Sequence, residues 1–457
     1  MANSIRTATS AATIVAVATP PGQGGVGVVR LSGADAYPIA KRLLQRKLKP
    51  RTAHYSSVID AEGEVLDQGI ALYFPGPNSF TGEDVVEFQG HGSPILLKLI
   101  VDRCVTLEAQ HAKPGEFSER AFLNGKMDLA QAEAIADLIE SSTELAARAA
   151  MRSLRGEFSK SIEHIRAQLV ALRVFVEASI DFPEEEIDFL EEHDVLGRTK
   201  RVFEEFLALK KQAQRGTLLR DAVRIVLMGE PNAGKSSLLN ALCRDDRAIV
   251  SDLPGTTRDL LDHAIQIKGF PVVLTDTAGL RDNADSIEQE GIKRARNALE
   301  LADITLLCVD EQQTSQAKLK GLLDQEVPEG LGVLIVRTKA DLTGQAIGLV
   351  GGEYGQEIHI SAKTGEGIEA LCDWIGNLLG ASDHSQGDIL ARQRHLDALN
   401  RAEQHLQQGM QAYEFDRAGE LLAEELLLGA NALGEITGTM TSDDLLGKIF
   451  GSFCIGK

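Results

Sequence analysis

The run Gly229-Glu230-Pro231-Asn232-Ala233-Gly234-Lys235-Ser236 sets two glycines, a cation and a hydroxyl at a spacing suited to holding phosphates. Glycines let successive backbone N–H groups turn inward around an anion, and a helix that starts there adds partial positive charge. Lys235 would reach the β and γ phosphates of a nucleotide, and Ser236 would ligate Mg²⁺. This chemistry requires a strand before the run and a helix after it. RIVLM precedes the run and SLLNALC follows it, so the pattern meets both conditions.

Three later segments occur in the order a nucleotide switch needs. Asp276-Thr277-Ala278-Gly279 closes the run VVLTDTAG, so Asp276 can hold Mg²⁺ through a water while the Gly279 amide meets the γ phosphate. Thr338-Lys339-Ala340-Asp341 closes another strand-like run. Asp341 is placed there to accept hydrogen bonds from the N1 and N2 groups of guanine, which adenine lacks. Ser361-Ala362-Lys363 would contact guanine O6, so the set favours GTP over ATP. Leu280 stands where Ras-like proteins carry a glutamine. An aliphatic side chain cannot orient an attacking water, so another group must do so.

These segments need a scaffold that brings several strand ends together. RIVLMG, VVLTDTAG, ITLLCVD, GVLIVRTKAD and IHISAK are apolar runs without polar alternation, separated by helical texture. That pattern predicts a mainly parallel sheet covered on both faces. Residues 13–122 instead alternate short β-branched runs with Gly and Pro, an α+β pattern. Helical composition follows, with Ile162, Ile165, Leu169, Leu172 and Val176 forming one apolar stripe, and it returns after residue 380. The expected organisation is multidomain α+β and α/β. An N-terminal α+β domain occupies 1–122, a split helical domain 123–219 and 381–457, and an inserted Ras-like P-loop domain 220–380.

Lys plus Arg total 47 against 67 Asp plus Glu, a net charge of 47 − 67 = −20. Such a balance argues against a chain that coats nucleic acid unaided, though a local basic patch or a basic partner remains open. The acidic run 181–194 reads as a solvated face. The five cysteines (104, 243, 308, 372 and 454) are widely spaced and form no C-x-x-C pair, which reads as reduced thiols in a cytosolic protein without a zinc site. No secretory signal or membrane span is legible, although the Ser/Thr/Ala-rich first dozen residues faintly resemble a transit peptide. Gly22-Gln-Gly-Gly25-Val-Gly27 leads into strand-like VVRLSG and not into a helix, which argues against a dinucleotide fingerprint. His91 lies between two glycines with no partner evident in the sequence. Cys454 reads either as a reactive thiol in an exposed tail or as a small buried hydrophobe.

GEPNAGKSS, SDLPGTTRD, DTAGLRDNADSIE, PPGQGGVGVVRLSG, FPGPNSFTGEDVVEFQGHG, KPGEFSERAFLNGKMDLAQAEAIADLI and the terminal FCIGK together resemble the MnmE (TrmE) family of tRNA-modification GTPases. The resemblance runs from about residue 13 to Lys457. It implies a nucleotide-binding set of Asn232, Ala233, Gly234, Lys235, Ser236 and Ser237 from the phosphate loop. Ser251, Asp252, Leu253, Pro254, Gly255, Thr256 and Thr257 join from the next motif, with Asp276 to Gly279, Thr338 to Asp341 and Ser361 to Lys363.

The resemblance further implies that K⁺ replaces an arginine finger, held by Asn232, Ser251, Leu253 and Thr256, with Thr257 as second Mg²⁺ ligand. Glu288 would orient the hydrolytic water, although by pattern alone it reads as a solvated helix residue. Asn232, Lys235 and Arg258 complete the implied catalytic set. The N-terminal domain would form a homodimer and bind 5-formyl-tetrahydrofolate through Arg30, Glu87, Lys126 and Lys457. The implied partners are tRNA and an FAD-bearing MnmG (GidA) flavoprotein, in the cytoplasm and away from membranes. The implied product is a carboxymethylaminomethyl group at C5 of the wobble uridine. Thr338 departs from the usual Asn, which puts the contacts to guanine N7 and to the phosphate loop in doubt; Glu230 replaces a frequently basic residue and is expected to face solvent. A ribosome-assembly GTPase acting only as a binding switch is the rival reading.

Overall fold

The computed structural model describes residues 12–181, 194–243, 262–276, 298–326, 332–381, 388–440 and 443–456. The chain divides into two compact units, residues 1–136 with 434–457 and residues 137–433.

In the first unit β1 (Ile14–Val17), β2 (Gly24–Ser32), β3 (His54–Ile59), β4 (Val65–Phe74), β5 (Val85–Gly92) and β6 (Gln110–His111) form a sheet in the order β3-β4-β5-β2-β1-β6. Every pairing is antiparallel except β1 with β6. Val29, Leu31, Val58, Ala71, Val86 and Phe88 recur at strand period on one face, so they are buried together against α1 (Ala36–Leu43) and α2 (Pro94–Thr106). The glycine-rich run 22–27 enters β2 directly, as its sequence context requires.

After α3 (Glu116–Leu123), Leu129, Ala132 and Ala136 of α4 (Leu129–Glu140) pack against Ile449, Phe450 and Phe453, the first two from the terminal helix Asp443–Gly451. This shared aliphatic and aromatic core ties residues 123–136 and 434–457 into the first compact unit.

The second unit holds α5 (Glu144–Leu154), α6 (Glu157–Asp181) and α7 (Val195–Arg220), then the sheet domain, then α11 (Gln393–Asp416) and α12 (Gly419–Thr437) as far as Leu433. The stripe Ile162, Ile165, Leu169, Leu172 and Val176 is buried on α6, as its spacing predicts.

The sheet domain contains β7 (Val223–Met228), α8 (Lys235–Cys243), β8 (Asp262–Ile267), β9 (Phe270–Asp276), β10 (Ile304–Asp310), α9 (Gln316–Glu326), β11 (Val333–Thr338), β12 (Gly348–Gly352), β13 (Gly355–His359) and α10 (Ile368–Leu378). Strand order is β12-β13-β11-β10-β7-β9-β8, parallel through the centre with antiparallel edges at β12 and β8. Ile225 and Leu227 enter the core that includes α8 and α10, whereas Val226 and Met228 enter a second core with Leu319 of α9. Burial on both faces is why these strands carry no polar alternation. Trp374, the chain's single tryptophan, packs on the first of these cores and donates its indole N–H to Gln356 at 2.7 Å.

Candidate functional site

The parallel strands end along one edge of the sheet, where the chain must turn from strand to helix. At the end of β7 the backbone swings through Gly229 (φ 132°) so closely past β10 that an added Cβ would lie 2.1 Å from the Cys308 carbonyl oxygen. Glycine alone fits that approach. Asn232 (φ 63°) and Gly234 (φ 91°) continue the turn before α8 begins at Lys235. Lys235 is buried, and its Nζ donates to the carbonyls of Gly229 at 2.8 Å and Glu230 at 2.9 Å. The loop thus carries its own cation, held across its mouth by backbone oxygens that phosphate oxygens could replace.

Ser236, in the first turn of α8, donates its hydroxyl to Asp276 at the end of β9, at 3.2 Å. Two oxygens of hard-donor type therefore converge beside the loop, the pairing that Mg²⁺ favours. Among the described residues, the sequence-expected magnesium groups thus fit the ion.

The loop is braced from the opposite side by β11. The Thr338 hydroxyl donates to the Ala233 carbonyl at 2.7 Å and lies 3.2 Å from that of Val309. The side-chain brace to the phosphate loop is therefore present despite the substitution for Asn. Lys339, in the left-handed region at φ 62°, reaches the Asn232 carbonyl at 3.0 Å and the Asp310 carboxylate at 2.7 Å. Burial pushes the Asp310 carboxyl up, but the hydrogen bond from Lys339, the amides of Gln312 and Gln313 and the Lys339 charge together hold it below the ordinary carboxylate range.

Gly234, Ser237, Asn240, Thr338, Lys339, Asp341, Leu342, Ala362 and Lys363 surround one cavity of about 490 Å³. Ala340 is buried and donates its amide to Ile360, which ties the third segment to Ser361, itself buried. The structure therefore brings the phosphate loop, Thr338 to Asp341 and Ser361 to Lys363 to one place. A carboxylate, a lysine stem and small side chains around a cavity suit a flat, donor-bearing base. Asp310, Asn240 and Leu342 belong to this site and escaped the sequence reading. The signal for Asn240 was helical spacing from Ser236, and for Asp310 its place at the end of ITLLCVD. Glu230 is partly exposed but pairs with Lys318 at 2.5 Å. Ser251 to Arg258, Thr277 to Gly279, Leu280, Glu288 and Lys457 lie outside the described residues.

In the first unit Arg30 on β2 and Glu87 on β5 are register partners and form an ion pair at 2.8 Å. The Arg30 guanidinium also sits 5.4 Å from the Phe80 ring centre and 5.7 Å from that of Phe117, with the Gly456 carbonyl 3.5 Å from Nη1. These contacts show an engaged, half-buried group and not a loose surface charge. Lys126 is exposed and donates to the Pro77 carbonyl at 2.9 Å. Cys454 is exposed, which corrects its reading as a buried hydrophobe. No disulfide forms, and Cys104, Cys308 and Cys372 are buried. Burial pushes the Cys104 and Cys308 thiols up to about 12. His91 has a partner after all: Asp67, almost fully buried, accepts its ring Nδ1–H at 2.7 Å and its amide at 2.8 Å. Among the described residues no helix is long and apolar enough to cross a membrane.

The family described as GTP-binding protein TrmE N-terminus matches residues 13–126, and that described as MnmE helical domain matches residues 129–454. A tRNA modification GTPase MnmE of Pseudomonas aeruginosa (strain UCBPP-PA14) is 53% identical over 450 residues, covering 97% of this chain and 99% of that protein. The protein of the same name from Erwinia tasmaniensis is 52% identical over 449 residues, with the same shares covered. Likeness of this extent reaches across both compact units and the nucleotide site, and the chain belongs to the MnmE family of tRNA modification GTPases.

Proposed function

We propose that the chain is a K⁺-activated GTP hydrolase that works on tRNA as a homodimer in the cytoplasm, jointly with an FAD-bearing flavoprotein of the MnmG (GidA) type. The joint product would be a carboxymethylaminomethyl group at C5 of the wobble uridine, with 5-formyl-tetrahydrofolate as the one-carbon source. The observation that carries the hydrolase part is the convergence of Lys235, the Ser236–Asp276 pair and the Asp341-lined cavity around one loop. The tRNA part is supported by relatives whose printed name is tRNA modification GTPase.

In this reading Asp341 and Lys339 hold the guanine, and the phosphate-loop amides with Lys235 hold the β and γ phosphates. Ser236 and Thr257 would ligate Mg²⁺, which when bound would neutralise charge developing on the phosphates. Asn232, Ser251, Leu253 and Thr256 would hold K⁺, a fixed positive charge in place of an arginine finger. Glu288 orients the attacking water, and Arg258 belongs to the same catalytic set. Arg30, Glu87, Lys126 and Lys457 receive the folate, whose glutamate tail suits the cations and whose pterin donors suit the carboxylate. Phe80, part-exposed beside Arg30, adds flat apolar surface to that set. The domain assignment goes with it: folate binding and dimerisation in 1–122, a split helical domain in 123–219 and 381–457, and the GTP-binding domain in 220–380.

Hydrolysis compared in K⁺ and Na⁺ at equal ionic strength removes ordinary screening as an explanation. Turnover should be faster in K⁺, and Asn232→Ala should abolish the difference. Equal rates in both salts would end the ion-for-arginine mechanism. Fully modified wobble uridines in a strain lacking the chain would end the tRNA assignment.

A further inference from the structure

We propose that Arg337, held in a buried charged cluster with Glu311, Glu357 and His359, is a positioning residue that aligns the segments reading guanine and so sets the selectivity of the site for the base. The proposal rests on the reading of Asp341 as the guanine acceptor and extends it to residues that do not line the cavity.

The place of the cluster follows from strand period. Along β11, Leu334 and Val336 enter the core shared with α8 and α10, and Thr338 continues that side to the phosphate loop. Ile335 faces the opposite way, into the core with Leu319 of α9, and Arg337 continues that side. Arg337 is in register with Val309 of β10 and with His359 of β13. Glu311 directly follows β10, and Glu357 lies one strand period before His359. A sheet face that is apolar over most of its length thus becomes charged at the strand ends beside the nucleotide cavity.

These charges are not solvated. Side-chain exposure is 7% for Arg337, 5% for Glu357, 10% for Glu311 and 11% for His359. Arg337 Nε donates to the Glu357 carboxylate and lies 3.9 Å from Glu311 Oε2, which is itself 3.5 Å from His359 Nδ1. The contacts therefore span from the end of β10 to β13 across β11. Gly352 of β12 leaves room for them, since a Cβ there would collide with the Glu357 carboxylate. Stability does not account for such a cluster. Glu311 Oε2, Glu357 Oε1 and His359 Nδ1 are buried without a hydrogen bond, and buried ion pairs are often no more stabilising than apolar side chains of similar volume. What directional contacts add to apolar packing is a fixed relative placement of the strands that carry them.

Each of the three strands leads into the site. Asp310 at the end of β10 holds Lys339 at 2.7 Å, β11 leads through Thr338 to Asp341, and β13 leads to Ser361 and Lys363. The Arg337 carbonyl accepts the Ile360 amide at 2.8 Å, and the Ile360 carbonyl accepts the Ala340 amide at 3.1 Å. A shift of β13 against β11 therefore moves Ala362 and Lys363 relative to Asp341, and all three line one cavity. Hydrogen bonds weaken steeply as alignment is lost, so misplacement of this kind lowers discrimination between bases.

The test measures binding of GDP and IDP to the full chain, by competition against a fluorescent GDP analogue. Inosine lacks the 2-amino group of guanine, so the ratio of the two affinities reads one hydrogen bond at Asp341. The wild-type protein should favour GDP by at least about tenfold. The triple variant Arg337→Met, Glu357→Leu, Glu311→Gln replaces the charges with side chains of similar size. Without nucleotide it should melt near wild type, while its preference for GDP falls at least about threefold. Glu357→Gln keeps shape and removes one charge; it should lower the preference about twofold and serves if the triple variant fails to fold. A folded triple variant with the wild-type preference, or with equal losses for GDP and IDP, would overturn the proposal. So would an unchanged preference in Glu357→Gln where the triple variant does not fold. Equal binding of GDP and IDP by the wild-type protein would instead defeat the reading of Asp341 on which the proposal rests.

Discussion

Replacing Thr338 with valine keeps shape and deletes one hydroxyl in a residue that is 2% exposed. That hydroxyl has one proton to give. At 2.7 Å from the Ala233 carbonyl and 3.2 Å from that of Val309, it is committed chiefly to the phosphate loop. Its removal forfeits one buried hydrogen bond and leaves a loop carbonyl without its side-chain donor, a cost of about 1–2 kcal/mol. If nucleotide binds only the braced loop, the cost falls on affinity, and GDP should bind roughly 5- to 30-fold more weakly. Titration with a fluorescent GDP analogue at fixed Mg²⁺ measures this, with thermal unfolding recorded alongside. Thr338→Ser keeps the hydroxyl and should stay close to wild type. Thr338→Val binding GDP within about twofold of wild type, with unchanged melting, would refute the bracing argument. So would an equal loss in Thr338→Ser, because the methyl group would then matter more than the hydrogen bond.

Asp310→Asn should weaken GDP binding about fivefold by removing the charged partner of Lys339, as the same titration would read. Since the Asp310 carboxyl is held below its ordinary range, its contribution is present above about pH 4 and fades as pH falls through its folded-state value. Ser236→Ala should abolish the slowing of GDP release by Mg²⁺, tested by adding a chelator during release. Asp67→Asn should cost about 1–3 kcal/mol of stability in neutral urea titrations. Burial raises the Asp67 carboxyl, but the His91 side chain and amide, the Gln68 amide and the His91 charge lower it further, so the gap to wild type should narrow below about pH 4.

The strands that end at the nucleotide site were readable because burial on both faces leaves continuous apolar runs, as in β7 and β10. The phosphate loop was readable because its glycines and Lys235 have few other uses at that spacing. The polar edge strand β8 gave no such signal, since DHAIQI alternates and resembles many surface segments. Asp310 was invisible for another reason: its meaning comes from Lys339, which only the parallel pairing of β10 with β11 brings near. The same holds for Asp67 and His91, which meet only in the folded first sheet. Composition changes near residue 122, whereas the contacts of Leu129 and Ala136 with Phe450 and Phe453 depend on the folded chain.

The core shared by Leu129, Ala132, Phe450 and Phe453 also bears on how the chain is made. Synthesis runs from the N-terminus at about 5–20 residues per second, so the early half of this cluster leaves the ribosome well before its other half exists. During that interval Leu129 and its neighbours lack the cover of Ile449, Phe450 and Phe453, and the whole inserted domain is translated in between. A nascent chain halted before residue 449 should bind holdase chaperones through this patch and release them once Phe450 and Phe453 arrive.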